Sequence, residues 1–291
     1  MKKVLTMTLN PCIDRTEYYD AFQVGATNIV KKAMEEAAGK DINVAVGLKH
    51  WNVPVKVMGF AYKEDLNKLY GKLEAEQIPY SFVEVDGHLR VNRKLFDESK
   101  SEMTECNEKG MPVTKEEVDV LLQLLEEELK EAAILVLSGS VPPGVEKDIY
   151  SVMTSMANNA GVKVILDASG ELLKEGIKTK PYLIKPNREE FINTFGDVKE
   201  DTLNELLKMG IQYICLSLGG DGAELISDIG IEKCPAIPVT VRSLQGAGDA
   251  MVAGLCKAIY ENCEEHMLDY ALSMAASTIA LEGTQMGNLT F

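Results

Sequence analysis

Short apolar, β-branched runs alternate with segments of helical period along most of this 291-residue chain. Val4–Leu9, Val53–Phe60, Ala133–Ser138, Val162–Asp167, Tyr182–Lys185 and Tyr213–Leu218 predict buried strands. The clearest helix runs from Thr114 to Lys130, where Val118, Leu121, Leu122, Leu125 and Leu129 share one face. Thr114 and Glu117 form a capping box at its start. Ile149–Ala160 and Leu203–Met209 repeat the pattern. Strands separated by helices require right-handed crossovers, and so an α/β fold: a mostly parallel sheet covered by helices on both faces. No period of repeat length recurs, which excludes a solenoid.

Two stretches break the rhythm. Arg15–Phe22 and Tyr80–Cys106 alternate polar and apolar residues with no helix between them; Leu89, Val91 and Leu95 fall opposite Arg90, Asn92, Lys94 and Phe96. They fit either an antiparallel edge of the main sheet or a small sheet standing off it as a lid or dimer surface. The lid, formed by about residues 12–35 and 80–108 of one domain spanning 1–291, is the expected arrangement. After Ala247 the chain is nearly all helical to Gly283, with a break at Asn262-Cys263.

Charge narrows the partners. Lys plus Arg is 30 against 45 for Asp plus Glu, a formal net charge of −15, which repels nucleic acid and anionic membranes. An anionic ligand must then be held by a few local cations and backbone N–H groups. The six cysteines show no C-x-x-C spacing and His50, His88 and His266 no H-E-x-x-H, so neither a disulfide framework nor a zinc site is expected. No apolar run reaches the roughly 18 residues of a membrane span, and a reduced, cytoplasmic protein is expected.

The strongest chemical signal is Gly246-Ala247-Gly248-Asp249, opening a helix. Glycines before a helix let several N–H groups converge where the helix dipole is positive, which favours an anion. An aspartate in that first turn can take a proton from a hydroxyl brought to the anion, the arrangement phosphoryl transfer to an alcohol needs. It can also simply satisfy the helix end. Gly39-Lys40-Asp41-Ile42-Asn43 opens a second helix, and its lysine is either a ligand or a solvated charge. Asp14 follows a strand and the Asn10-Pro11 turn, where open α/β sheets bind ligands.

Three more turns follow strands. Leu137-Ser138-Gly139-Ser140 with Pro142-Pro143-Gly144 is small enough for a ligand to approach closely. After Lys185-Pro186, Asn187 and Glu190 share a helix face and can orient waters of a hydrated Mg²⁺. Ser217-Leu218-Gly219-Gly220-Asp221-Gly222 can admit phosphate or adenine to the backbone. Together these turns point to a nucleotide enzyme, yet no G-x-x-x-x-G-K-[ST] and no strand-borne G-x-G-x-x-G is present.

Thr8-Leu9-Asn10-Pro11…Asp14, Gly39-Lys40…Asn43, Leu137 to Gly144, Ile184 to Glu190 and Gly246 to Asp249 occur in one order. In that order the chain resembles the PfkB (ribokinase-like) sugar kinases over nearly its whole length. Within them it is most similar to the branch acting on fructose 1-phosphate and tagatose 6-phosphate. The resemblance implies a ribokinase-like α/β domain with a β-sheet lid, ATP and Mg²⁺ as cofactors, and transfer to a sugar-phosphate hydroxyl. By position it makes Asp249 the general base and the N–H groups of Gly246, Ala247 and Gly248 the anion hole. Asp14, Gly39, Lys40, Asn43 and Ser138 would bind the sugar, and Arg90 on the lid its existing phosphate. Lys185, Asn187, Ser217, Gly219 and Gly222 would line the ATP site, with Glu190 linked to Mg²⁺ through water. A homodimer through the lid is implied as well.

Four departures stand out. The chain has Ala38-Gly39-Lys40-Asp41 where the family reads Gly-Gly-Lys-Gly, and an added carboxylate beside a sugar phosphate should weaken binding unless a cation offsets it. Ser243-Leu244-Gln245 replaces the run holding the usual threonine. The lid motif ends Asn107-Glu108 instead of Asn-Gly, and Ile29 stands where a basic residue is common. The expected reaction is fructose 1-phosphate plus ATP to fructose 1,6-bisphosphate plus ADP. Tagatose 6-phosphate is the alternative substrate. The reading from another class is a nucleotide-binding regulator without kinase activity.

Overall fold

A computed structural model describes residues 2–283 and 285–288. The first strand, β1 (Lys3–Thr8), lies third from one edge of a nine-stranded sheet. The chain then leaves this sheet for β2 (Cys12–Tyr19) and β3 (Lys32–Ala38) and returns through α1 (Lys40–His50) to β4 (Val55–Tyr62), parallel beside β1. Helix α2 (Leu66–Ala75) leads to β5 (Tyr80–Val85), the edge strand. A second excursion makes β6 (Arg90–Asp97) and β7 (Glu102–Asn107).

The chain next builds outward on the other side of β1. Helix α3 (Lys115–Leu129) precedes β8 (Ala132–Ser138), and α4 (Ile149–Asn159) precedes β9 (Lys163–Asp167). Helix α5 (Gly170–Gly176) comes before the two-residue β10 (Leu183–Ile184). Helices α6 (Arg188–Phe195) and α7 (Glu200–Lys208) come before β11 (Tyr213–Ser217). An antiparallel pair, β12 (Ala223–Ser227) and β13 (Gly230–Cys234), closes that edge. Helices α8 (Ala247–Tyr260) and α9 (Met267–Ile279) follow.

The continuous apolar run of β8, Ala-Ala-Ile-Leu-Val-Leu, is explained by cover on both faces: from Ile134 to Leu137 every side chain is buried. Helices α1, α8 and α9 pack on one another, while α3, α4, α5 and α6 form a second connected group. The Thr114–Glu117 capping box is present, with Thr114 Oγ1 accepting from Glu117 N at 3.2 Å, and Leu121, Leu125 and Leu129 are buried beneath α3.

The excursions meet as a separate sheet of order β3-β2-β6-β7, the expected lid. Its bounds differ from expectation in two ways. Residues 80–85 belong to the main sheet, because α2 makes β5 an ordinary parallel crossover from β4. As an edge strand β5 is only half covered, and this produces the alternation that resembled a lid strand. Residues 32–38, Lys-Ala-Met-Glu-Glu-Ala-Ala, expected in the lid only as far as 35 and without a strand signal of their own, pair with β2 from Cys12↔Ala38 to Tyr18↔Lys32. Pairing overrides their helix-favouring composition.

Candidate active site

The carboxyl ends of β1, β8 and β9 open onto a cleft of about 470 Å³ between the main sheet and the lid. This is the side on which open α/β sheets hold ligands. Gly246 enters α8 with φ 75°, a left-handed turn that favours glycine. The turn lines the cleft with the positive end of the helix. Asp249 stands in the first turn, 7% exposed, and its Oδ2 accepts from Asn43 Nδ2 at 2.8 Å. Burial pushes the Asp249 carboxyl up to about 6, with the Lys40 ammonium and the Asn43 bond opposing. A carboxylate poised near neutrality beside an anion-favouring helix start can exchange a proton with a substrate hydroxyl.

Asp167, at the end of β9, is set between two lysines. Lys40 Nζ lies 3.1 Å from Oδ2 and Lys185 Nζ 3.1 Å from Oδ1. Burial alone would raise this carboxyl, yet the two ammonium groups hold it below the usual aspartate range. Two cations around one carboxylate leave a local excess of positive charge at the end of β9. A Cβ built on Gly248 would come 3.7 Å from Lys185 Nζ, so that charge adjoins the helix start. Sequence reasoning missed Asp167, because a strand-terminal aspartate carries no local motif.

The lid turns a polar face to the same space. Register places Cys12 beside Arg90, Asp14 beside Asn92 and Lys94 beside Glu105, so alternate residues of three strands point into the cleft. Asp14 Oδ2 takes a 2.7 Å bond from Lys94 Nζ, and its Oδ1 a 3.2 Å bond from Asn92 Nδ2. Arg90 donates to Asn10 O at 3.1 Å, Asn92 Oδ1 at 2.9 Å and Glu108 O at 3.2 Å, all neutral acceptors. Among the described residues no carboxylate pairs with it. Asn92 and Lys94 were missed as site residues, although the period-two spacing 90, 92, 94 marks them.

Asp14, Gly39, Lys40, Asn43, Arg90, Glu190, Gly246 and Asp249 all line the cleft. Ser138 does not: it is 3% exposed, and Ser140 lines the cleft instead, bonded to Asn10 at 3.1 Å. Asp41 corrects the expectation for its position. The first turn of α1 points its side chain into the core, 1% exposed, where burial and the neighbouring Asp249 raise its carboxyl well above the normal range. Its carboxyl lies in the core beside Asp249, outside the lining of the cleft.

Asn187 and Glu190 form a capping box on α6: Asn187 Oδ1 accepts from Glu190 N at 2.8 Å, and Glu190 Oε2 from Asn187 N at 2.9 Å. Their spacing therefore has a structural cause, and Glu190 also lines the cleft. A single carboxylate at the cleft's edge suits a cation that keeps most of its waters. Lys185, Asn187, Ser217, Gly219 and Gly222 lie outside the cleft's lining, as do Ala247 and Gly248. Asn187 bridges to Ser217, whose N donates to Pro186 O at 3.1 Å, so the ends of β10 and β11 form a continuous shelf. Cβ atoms at Gly219 and Gly220 would meet open space.

The pfkB family carbohydrate kinase profile matches residues 7–290. The chain belongs to this family. It is a carbohydrate kinase, a phosphotransferase with an alcohol acceptor, on a ribokinase-like fold. It is 32% identical to the 1-phosphofructokinase of Escherichia coli K12 over 288 residues, 96% of this chain and 91% of that protein. With the 1-phosphofructokinase of Vibrio cholerae it shares 29% identity over 295 residues, 99% of this chain and 92% of that one. Phosphofructokinase-2 from E. coli superposes with a TM-score of 0.90 at 25% identity, covering 99% of this chain and 96% of the other. Among the described residues no helix is long and apolar enough to cross a membrane.

Proposed function

We propose that this carbohydrate kinase transfers the γ-phosphoryl group of ATP to O6 of fructose 1-phosphate. The carrying observation is Arg90: a cleft-lining guanidinium with no carboxylate partner among the described residues, on the lid face that also carries Asp14. An unneutralised arginine there suits a substrate that already bears a phosphate, which it grips as a charge-assisted fork. The similarity to named 1-phosphofructokinases supports fructose 1-phosphate over tagatose 6-phosphate.

Asp14 and Asn43, with Gly39 and Lys40 alongside, orient the sugar hydroxyls. Asp249 takes the O6 proton as the O6–phosphorus bond forms and the bond to the β,γ-bridging oxygen breaks; ADP leaves with that electron pair. The N–H groups of Gly246, Ala247 and Gly248 hold the charge on the transferring oxygens, aided by Lys40 and Lys185. Lys185, Asn187, Ser217, Gly219 and Gly222 hold ATP along the shelf. Glu190 would help hold Mg²⁺ through water, and the ion would neutralise phosphate charge. The ionisable base beside an anion-favouring helix start counts against a regulator that has lost catalysis.

The lid carries exposed apolar residues, Val24, Ile29, Val30, Met34 and Met103. They support a homodimer through the lid, which sedimentation at micromolar concentration tests: a monomer there ends that claim. The cytoplasm, where ATP and sugar phosphates meet, is the proposed location. The reaction itself is tested by ADP release with MgATP against fructose 1-phosphate, tagatose 6-phosphate, fructose 6-phosphate, fructose, ribose and adenosine. Preference for fructose 1-phosphate is expected; preference for a free sugar or nucleoside overturns the role of Arg90.

A further inference from the structure

Lys94 lies on β6 and is 7% exposed. Its Nζ is 2.7 Å from Asp14 Oδ2 and 3.1 Å from Gln245 Oε1. Gln245 immediately precedes Gly246, where the backbone turns left-handed into α8. Its other amide atom, Nε2, reaches Met103 Sδ on β7 at 3.4 Å, and its backbone N donates a 3.2 Å bond to Ser243 Oγ. One side chain of the anion-hole loop thus touches two strands of the lid.

A buried ammonium must have its donors met, and Lys94 has two acceptors of different kinds. Asp14 supplies the negative charge; Gln245 supplies a neutral oxygen from the opposite wall. A glutamate at 245 would set a second carboxylate next to the turn that favours an anion, whereas the amide makes the same connection without charge. We infer that Gln245, acting through Lys94, couples the lid to the anion-hole loop, so that sugar phosphate and nucleotide strengthen each other's binding. Gln245 is a positioning residue, and the coupling rests on the proposed reading of Asp14 as sugar ligand and Gly246 as part of the anion hole. Because Lys94 touches both, a sugar that fixes Asp14 also fixes Gln245. By linkage the effect is reciprocal.

Two measurements decide it, on wild type, Q245L, K94M, K94R and the double variant K94M/Q245L. The first is hydrogen exchange of residues 90–107 in the unliganded protein. Faster exchange in Q245L and K94M is expected; wild-type exchange in Q245L overturns the tie. The second is the affinity of a non-hydrolysable ATP analogue with and without fructose 1-phosphate. Wild type should show synergy of about 5-fold or more. Q245L should lose it, K94R should keep part of it, and the double variant should match K94M alone. Wild-type synergy in Q245L, or fructose 1-phosphate binding to wild type without synergy, overturns the coupling. Should fructose 1-phosphate not bind wild type at all, the substrate reading fails, and the exchange measurement alone decides the tie.

Discussion

Asn43 Nδ2 donates to Asp249 Oδ2 at 2.8 Å, from the first helix after the lid excursion to the last-but-one helix of the chain. The bond favours the ionised carboxylate and commits one oxygen, leaving Oδ1 to face a proton donor. Burial works the other way and sets the Asp249 carboxyl at about 6. As the base must be ionised, kcat/KM for the sugar phosphate should rise with pH through about 6 and level above it. Replacing Asn43 with Ala should move that limb upward, because the charged form loses its hydrogen bond. A limb that stays put would show that Asn43 does not set the base.

Lys40 acts on the same carboxylate through its charge. In Lys40→Met the limb should also move to higher pH, and at pH 7 the rate should fall roughly 10-fold or more. A pH–rate profile of the variant checks both parts.

Asp41 offers a stability prediction with a definite sign. Its carboxyl is raised in the folded protein, so folding favours its protonated form. The stabilising contribution is whole below the unfolded value near 4 and is lost as pH rises toward the folded value. Asp41→Asn is neutral at every pH. It should match wild type near pH 4 and exceed it at pH 8, with Tm higher by about 2–4 °C for each kcal/mol regained. Thermal melts at the two pH values read this directly, and equal gains at both would contradict a buried acid.

Arg90→Met should raise KM for a sugar phosphate by about 10- to 100-fold, the worth of charge-assisted hydrogen bonds, and leave KM for ATP unchanged. Weak turnover of free fructose should not change. If free and phosphorylated sugars suffer equally, Arg90 serves the lid's structure rather than a phosphate.

The α/β layering was legible because β8, β9 and β11 carry continuous apolar runs at their centres and the helix of Leu121, Leu125 and Leu129 is amphipathic. The Gly246–Asp249 turn was legible because left-handed backbone and a helix start leave a local trace. Strand β3 left none, since only pairing with β2 makes it extended. Asp167 and Lys94 escaped notice for a related reason: each works through partners distant in sequence, Lys40 and Lys185 for one, Asp14 and Gln245 for the other. Asp41 was misplaced because sequence gives its neighbours but not the direction in which the first turn of α1 points it.

The most direct test of the whole account is single-turnover phosphoryl transfer from MgATP to fructose 1-phosphate by Asp249→Asn, with binding of both ligands measured alongside. A loss of about 100- to 10,000-fold in rate with binding kept is predicted, the range general-base catalysis contributes. A rate within about tenfold of wild type would contradict Asp249 as the base.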